Sequence, residues 1–185
     1  MRATLSLTSS ASRPDELMAD VIARLAELGY ALPELVPPLA AYVPAVRTGN
    51  LVFTAGQLPL VAGKLWSQGL VADDPGEKGL DSWVIDSGFV DVQSAKECAA
   101  RCALNAIAAI GSVADLDRVT RIIKVTGYVA GTEGFRSHPQ VVNGASELLG
   151  LVWGDSGRHA RSAVGVANLP LGAPVEIELI AEVWD

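Results

Sequence analysis

Helical segments alternate with runs of β-branched residues along this chain, and that order limits the folds it can form. Residues 91–111 are rich in alanine and predict a helix that begins after Asp91 and ends at Gly111. One stripe of this helix carries Cys98, Cys102, Ala106 and Ile110. Residues 118–130 then predict a strand, and residues 138–154 a second helix with Pro139 in its first turn and Gly144 as an interior weak position.

The remaining segments extend the same pattern. Residues 1–13 are Ser-rich and free of acids, which is typical of a disordered tail and less so of a transit peptide; we expect one domain over 14–185. A helix is predicted from Pro14 to Gly29, and Gly49–Asn50 separates the two strands of a hairpin. Residues 159–184 predict a final hairpin. The order favours an α+β sandwich with two main helices packed on one face of the sheet.

Residues 63–90 show no sustained period and predict a long loop with at most a short strand. The segment contains Trp66, Trp83 and Phe89. A loop of this length in a small domain is often functional, and its aromatic side chains can either cover a pocket or pin the loop to the surface. The sequence leaves both alternatives open.

Composition excludes several classes of function. A formal charge of −7 argues against nucleic-acid binding, which needs a basic surface. No stretch reaches the roughly 18 apolar residues of a membrane span, so we expect a cytoplasmic protein without a membrane partner. Cys98 and Cys102 are four residues apart in a helix, which suits small core residues better than a disulfide. With only His138 and His159 besides these cysteines, we predict no metal site.

Two opposite charges, Arg161 and Glu176, stand in otherwise apolar strands near the C-terminus. If residue 169 pairs with residue 175 in a hairpin, Arg161 lies opposite Val183, and Glu176 lies about 23 Å away on the other face. Within one chain the two charges then cannot pair, although they can share a cleft between subunits. The alternative is a solvated Glu176 and an Arg161 paired with a surface acid, since a partly buried guanidinium needs an anion.

The run "RSAVGVANLPLGAPVEI", residues 161–177, resembles the signature of the RidA/YjgF family of reactive-intermediate deaminases. Residues 42–59 resemble the family's N-terminal hairpin, and residues 141–149 its second helix. The resemblance covers about residues 40 to 184. It departs at His159, where the motif prefers Pro or Ala, in the longer 63–90 loop, and in the extra helix before residue 30.

The resemblance implies a chorismate-mutase-like fold, a homotrimer, and ligand clefts between subunits. It assigns Arg161 to the clamp for the carboxylate of a 2-imino or 2-enamino acid, and the main-chain amide of Ala163 to the same ligand. Tyr42, Gly56, Asn143 and Glu176 align with the other cleft positions. Tyr42 and Asn143 would orient the substrate, and Glu176 would hold or deprotonate the attacking water. The implied reaction needs no cofactor.

Three functions remain as alternatives. The first is hydrolysis of small 2-imino or 2-enamino acids, of the 2-aminoacrylate type, to 2-keto acids and ammonia. The second is non-catalytic binding of small carboxylic acids, or action on another metabolite. The third is endoribonuclease activity, which the acidic charge disfavours. His159, on the same strand face as Arg161, is either an acid or base near neutral pH or merely a neighbour.

Overall fold

A mixed five-stranded sheet with two long helices on one face forms the fold, seen in a computed structural model that describes residues 20–35, 41–73 and 88–184. In chain order the helices and strands are α1 (Val21–Glu27), β1 (Ala45–Thr48), β2 (Leu51–Thr54), β3 (Leu60–Val61), β4 (Lys64–Leu65), β5 (Leu70–Ala72), β6 (Phe89–Asp91), α2 (Val92–Gly111), β7 (Val119–Ala130), α3 (His138–Trp153), β8 (Ala160–Val166) and β9 (Val175–Val183). This is the predicted α+β class with its N-terminal helix.

Strand β7 lies inside the sheet, whose order is β1-β2-β9-β7-β8. It pairs in parallel with β8 and antiparallel with β9. The predicted C-terminal hairpin is therefore wrong, because β7 lies between its two strands. Residues 167–174 are long enough to pass the end of β7, which separates β8 from β9 by about 10 Å. The register of Arg161 with Val183 is wrong for the same reason, since Arg161 aligns with Val125 and Val183 with Val119.

Helices α2 and α3 cover one face of the sheet and bury the core between them. Asp91 caps α2 by accepting from the Ser94 amide, as the sequence predicts. Cys98 and Cys102 are fully buried in this core as free thiols. None of the helices in the described ranges combines the length and the hydropathy that crossing a bilayer requires.

The termini of the smaller elements follow local signals. Helix α1 begins at Val21, because Asp20 is extended and its carboxylate accepts from the Ala23 amide. Its predicted start at Pro14 lies outside the described residues, whereas the predicted end is confirmed by a positive φ of 80° at Gly29. Gly49, with a φ of 58°, opens the two-residue turn of the β1–β2 hairpin.

The segment predicted as a long loop contains short paired strands in its described parts. Strand β4 pairs with β3, and β5 pairs in parallel with β6. The guanidinium of Arg101 on α2 lies 3.5 Å from the centre of the Trp66 ring, so this aromatic holds the segment against the helix. Phe89 is exposed in β6, and Trp83 lies outside the described residues.

Gly144 is the point of close approach between α2 and α3. A Cβ atom at this position would lie 1.9 Å from the main-chain oxygen of Lys96, so only glycine fits without moving a backbone. The sequence pattern predicted that Gly144 is a weak position inside a helix. The structure instead gives it a packing role, since the missing side chain lets the two helices touch.

Replacement Gly144→Ala is expected to destabilise the protein by about 2 kcal/mol, because overpacking here displaces backbone. Gly150→Ala is the matched control on the same helix, where a Cβ would meet nothing within 4 Å. The control is expected to stabilise the protein by about 0.5–1 kcal/mol through helix propensity. Urea unfolding measures both changes, and equal effects would contradict the close-contact explanation.

Candidate functional site

Arg161 lies on edge strand β8, on the face covered by the helices. It aligns with the buried Val125 of β7, which fixes the direction of its side chain. Its Nη1 donates to Asn143 Oδ1 at 2.7 Å and to Ser146 Oγ at 3.0 Å. Both acceptors belong to α3, so a helix and an edge strand together hold the guanidinium.

The rest of the guanidinium is available to a ligand. Among the described residues, neither Nε nor Nη2 of Arg161 has a hydrogen-bond partner, and no acid forms an ion pair with it. These two nitrogens carry parallel N–H groups that match the two oxygens of a carboxylate. The arrangement is suited to binding a planar organic anion.

His159 joins this cluster through Ser146. Its Nε2 lies 3.0 Å from Ser146 Oγ, and its Nδ1 lies 2.6 Å from the carbonyl oxygen of Gly157. Burial lowers the pKa of His159 below its ordinary value; the charge of Arg161 lowers it further, whereas the Gly157 carbonyl opposes the shift. The ring is therefore neutral at neutral pH.

Glu176 and Gly56 form a second cluster on the opposite face of the sheet. A Cβ at Gly56 would lie 1.7 Å from Glu176 Oε1, so the glycine leaves room for the carboxylate against the main chain. Tyr128 aligns with Glu176 and donates to Glu178 Oε1 at 3.1 Å. Burial, and then the charge of Glu178, raise the pKa of Glu176 above its ordinary value.

Five of the six residues implied by the family resemblance therefore divide between two faces. Arg161, Asn143 and Ala163 lie on the helix-covered side, whereas Glu176 and Gly56 lie together on the other. Arg161 and Glu176 are separated by two strand spacings across the sheet and by three residues along the strands. Each separation is about 10 Å. One small ligand cannot contact both within one chain.

Tyr42 precedes β1 and is 54% exposed. Within the described part of the chain it has no hydrogen bond to either cluster. The structure thus brings together two pairs of the implied residues, Arg161 with Asn143 and Glu176 with Gly56, and leaves Tyr42 apart from both.

Three cavities of about 360, 720 and 390 Å³ lie on the helical side of the described structure. The largest is bounded by residues 31–35, residues 60–63 and α2. Arg161 and Glu176 line none of these three.

The described residues hold no group of three or more His, Cys, Asp or Glu side chains arranged to bind a metal ion. Burial raises the pKa of the Cys98 thiol to about 12 and that of the Cys102 thiol well above its ordinary value. Both thiols are protonated at neutral pH and are poor nucleophiles or metal ligands.

Ser146 is the residue of the Arg161 cluster that the sequence analysis did not identify. It lies three residues after Asn143 on α3, so both face the same side of the helix. That spacing is the signal that points to it.

Comparison with known proteins places the chain in a family. The model of the endoribonuclease L-PSP family, also called RidA/YjgF, matches residues 34–183. The chain belongs to the RidA/YjgF family. The match includes both clusters and most of the described structure.

Relatives of this RidA/YjgF chain resemble it over most of their lengths. Protein TCP17 of Trypanosoma cruzi is 37% identical over 165 residues, which are 88% of this chain and 93% of the relative. The crystal structure of Atu1372 of Agrobacterium tumefaciens, a protein of unknown function, is 42% identical with a TM-score of 0.76, covering 90% of this chain and 95% of its own. A putative endoribonuclease of Shewanella oneidensis is 29% identical with a TM-score of 0.75, covering 88% and 99%.

Replacement Glu176→Gln is expected to stabilise this family member at pH 7 by about 0.5 kcal/mol, because it removes a partly buried charge next to Glu178. Since the folded-state pKa is raised, folding favours the protonated carboxyl. The stability that this carboxyl contributes is fully present below its ordinary pKa of 4.5. It is lost as the pH rises through the raised pKa of the folded state.

Urea unfolding at pH 4 and pH 7 measures this effect. The advantage of Glu176→Gln should be larger at pH 7 than at pH 4. Glu133→Gln, at an exposed carboxylate, is the control and should change stability little at either pH. An advantage for Glu176→Gln that is the same at both pH values would contradict the charge-burial explanation.

Proposed function

We propose that this protein hydrolyses small 2-imino and 2-enamino acids, of the 2-aminoacrylate type, to 2-keto acids and ammonia. The observation that supports this most directly is the Arg161 guanidinium, which Asn143 and Ser146 hold and whose Nε and Nη2 edge has no partner in the described ranges. A charge-assisted contact with a carboxylate contributes about 1.5–3 kcal/mol, enough to orient a small acid.

The proposed site lies between subunits of a homotrimer. Three apolar side chains on the helix-free face of the sheet are exposed in the single chain: Val46 at 53%, Phe53 at 39% and Val164 at 43%. Exposed apolar side chains on one sheet face are typical of an interface between subunits. In such an assembly Glu176 of one subunit acts on a ligand held by Arg161 of the next.

The chemistry is a hydrolysis without oxidation or reduction. The 2-enamino acid first tautomerises to the imine, which is protonated on nitrogen. The oxygen of a water molecule then attacks the imine carbon, and the C=N π electrons move to nitrogen. Glu176 accepts a proton from this water and returns it to the nitrogen. The hydroxyl proton of the tetrahedral adduct then passes to Glu176 as the C=O bond forms and the C–N bond breaks, and ammonia leaves. No resident cofactor takes part in these steps.

Replacement Arg161→Ala is expected to reduce kcat/KM for 2-aminoacrylate, generated in the assay, by about 10- to 100-fold. Ammonia release measures the rate. Arg158→Ala is the matched control, because Arg158 is three residues away and its side chain is 84% exposed beside Asp155. The control removes the same charge and should retain activity.

Two results would favour the other functions. Calorimetry that detects tight binding of a 2-keto acid, with no ammonia released by the wild-type protein, would indicate a non-catalytic binder. Cleavage of RNA by the purified protein, abolished by a site variant, would favour an endoribonuclease. We expect RNA to stay intact, because the chain carries a net charge of −7.

Light scattering is expected to give a mass three times that of the 19.3-kDa chain. Phe53→Glu places a charge on the proposed interface and should shift the mass towards that of one chain. Ile22→Glu alters an exposed apolar residue on α1 and should leave the trimer intact. A wild-type monomer at working concentration would remove the proposed site.

A further inference from the structure

We infer that Ser146 and His159 are positioning residues that orient the Arg161 guanidinium for its ligand through one directed chain of hydrogen bonds. The inference rests on the proposed function, in which Arg161 binds a carboxylate. It adds a specific role for two residues that the family resemblance does not assign.

The direction of each hydrogen bond follows from chemistry. The Gly157 carbonyl oxygen can only accept, so Nδ1 of His159 carries the proton. In a neutral ring Nε2 is then an acceptor, and the Ser146 hydroxyl donates to it. The Ser146 oxygen keeps its lone pairs for the N–H of Arg161 Nη1. The chain runs from Arg161 through Ser146 to His159, with every donor matched to an acceptor.

This chain fixes which edge of the guanidinium the ligand meets. Nη1 has two hydrogens, and Asn143 and Ser146 take one each. Because these two acceptors lie at different positions on α3, they fix both the location and the orientation of the guanidinium plane. The remaining edge, formed by Nε and Nη2, is the only one that can bind both oxygens of a carboxylate through parallel hydrogen bonds.

Holding the guanidinium in advance also lowers the entropic cost of binding. A free arginine side chain samples many rotamers, and fixing it in one of them has an entropic cost. In this protein Asn143, Ser146 and His159 restrict it before the ligand arrives. Loss of Ser146 or His159 should therefore weaken ligand binding even though the charge of Arg161 remains.

The same geometry argues against His159 as an acid or base for the substrate. Both ring nitrogens are engaged, one with Gly157 and one with Ser146. No nitrogen remains to transfer a proton to a bound ligand. The sequence left two roles open for His159, an acid or base and a mere neighbour. The hydrogen bonds favour a third role, in which His159 acts on Arg161 through Ser146.

Calorimetry with 2-oxobutanoate, a stable 2-keto acid, tests the inference on the full-length protein. Ser146→Ala and His159→Leu should each weaken binding about tenfold, as loss of a hydrogen bond in a charged network does. Ser146→Thr keeps the hydroxyl, and His159→Gln keeps an acceptor where Nε2 lies, so both should bind within about threefold of wild type. His138→Gln is the matched control, since His138 contacts Phe135 and has no bond to Arg161 among the described residues.

A second measurement needs no ligand. Nitrogen-15 NMR of the histidine rings at pH 7.5 should show His159 as the neutral tautomer protonated at Nδ1, with Nε2 unprotonated. In Ser146→Ala the signals should move towards a mixture of tautomers, because Nε2 loses its donor. A wild-type His159 protonated at Nε2 would overturn the inference, whatever the binding data show.

The binding results separate this inference from the proposed function. If Arg161→Ala binds 2-oxobutanoate as tightly as wild type, the carboxylate clamp is wrong and the positioning role is wrong with it. If Arg161→Ala loses binding while Ser146→Ala and His159→Leu match wild type, the clamp stands and the positioning role alone is wrong. If those two variants lose binding and the conservative replacements restore it, both are supported.

Discussion

The structure depends on the pairing of strand β7 along both of its edges. Its antiparallel partner β9 connects it to the N-terminal hairpin, and its parallel partner β8 forms the edge of the sheet. A parallel pair needs a crossover connection, and α3 provides it. The crossover lays α3 across the sheet beside β8, which is why the acceptors for Arg161 come from this helix. The connection that completes the fold therefore also builds the cluster of Arg161, Asn143 and Ser146.

The alternation of side chains along the strands separates the two chemical groups of the site. Arg161 faces the helices, whereas Glu176 faces away from them. Arg161 offers N–H donors that have no partner among the residues described by the structure, and Glu176 offers a carboxylate whose pKa is raised by burial and by Glu178. The two groups therefore lie on different surfaces of one chain, and only the proposed homotrimer would let both reach a single ligand.

Local sequence signals predicted the elements and the β1–β2 hairpin well, but they gave the wrong pairing for β8 and β9. Capping by Asp91, the turn at Gly49 and the stop at Gly29 depend on a few neighbouring residues, and each appears in the structure. The C-terminal pairing was wrong because residues 167–174 look like a hairpin turn, and nothing local shows that another strand lies between. The order strand, helix, strand over 119–166 was the available signal, since it is typical of parallel pairing.

For the candidate site, too, some features could be predicted from the sequence, whereas others depend on the tertiary structure. Family resemblance drew attention to Arg161, Asn143, Glu176 and Gly56, and their pairwise proximity now has a geometric basis. Only the spacing of Ser146 from Asn143 is visible in the sequence. The hydrogen bonds of Ser146 and His159 could not be found without coordinates, because they depend on the distance between α3 and β8. That distance is a tertiary quantity and leaves no trace in composition or in the period of the sequence.

Gly144 links the Arg161 cluster to the contact between α3 and α2. It is flanked on α3 by Asn143 and lies two residues before Ser146, while its missing side chain lets the helix rest on the main chain of α2. The close contact with α2 at Gly144 therefore helps to position α3 above the sheet. Substitutions along the seam between α2 and α3, where small changes in volume tilt α3, should therefore alter the geometry of the Arg161 cluster without touching it, and with it the choice of the acid that we propose as ligand.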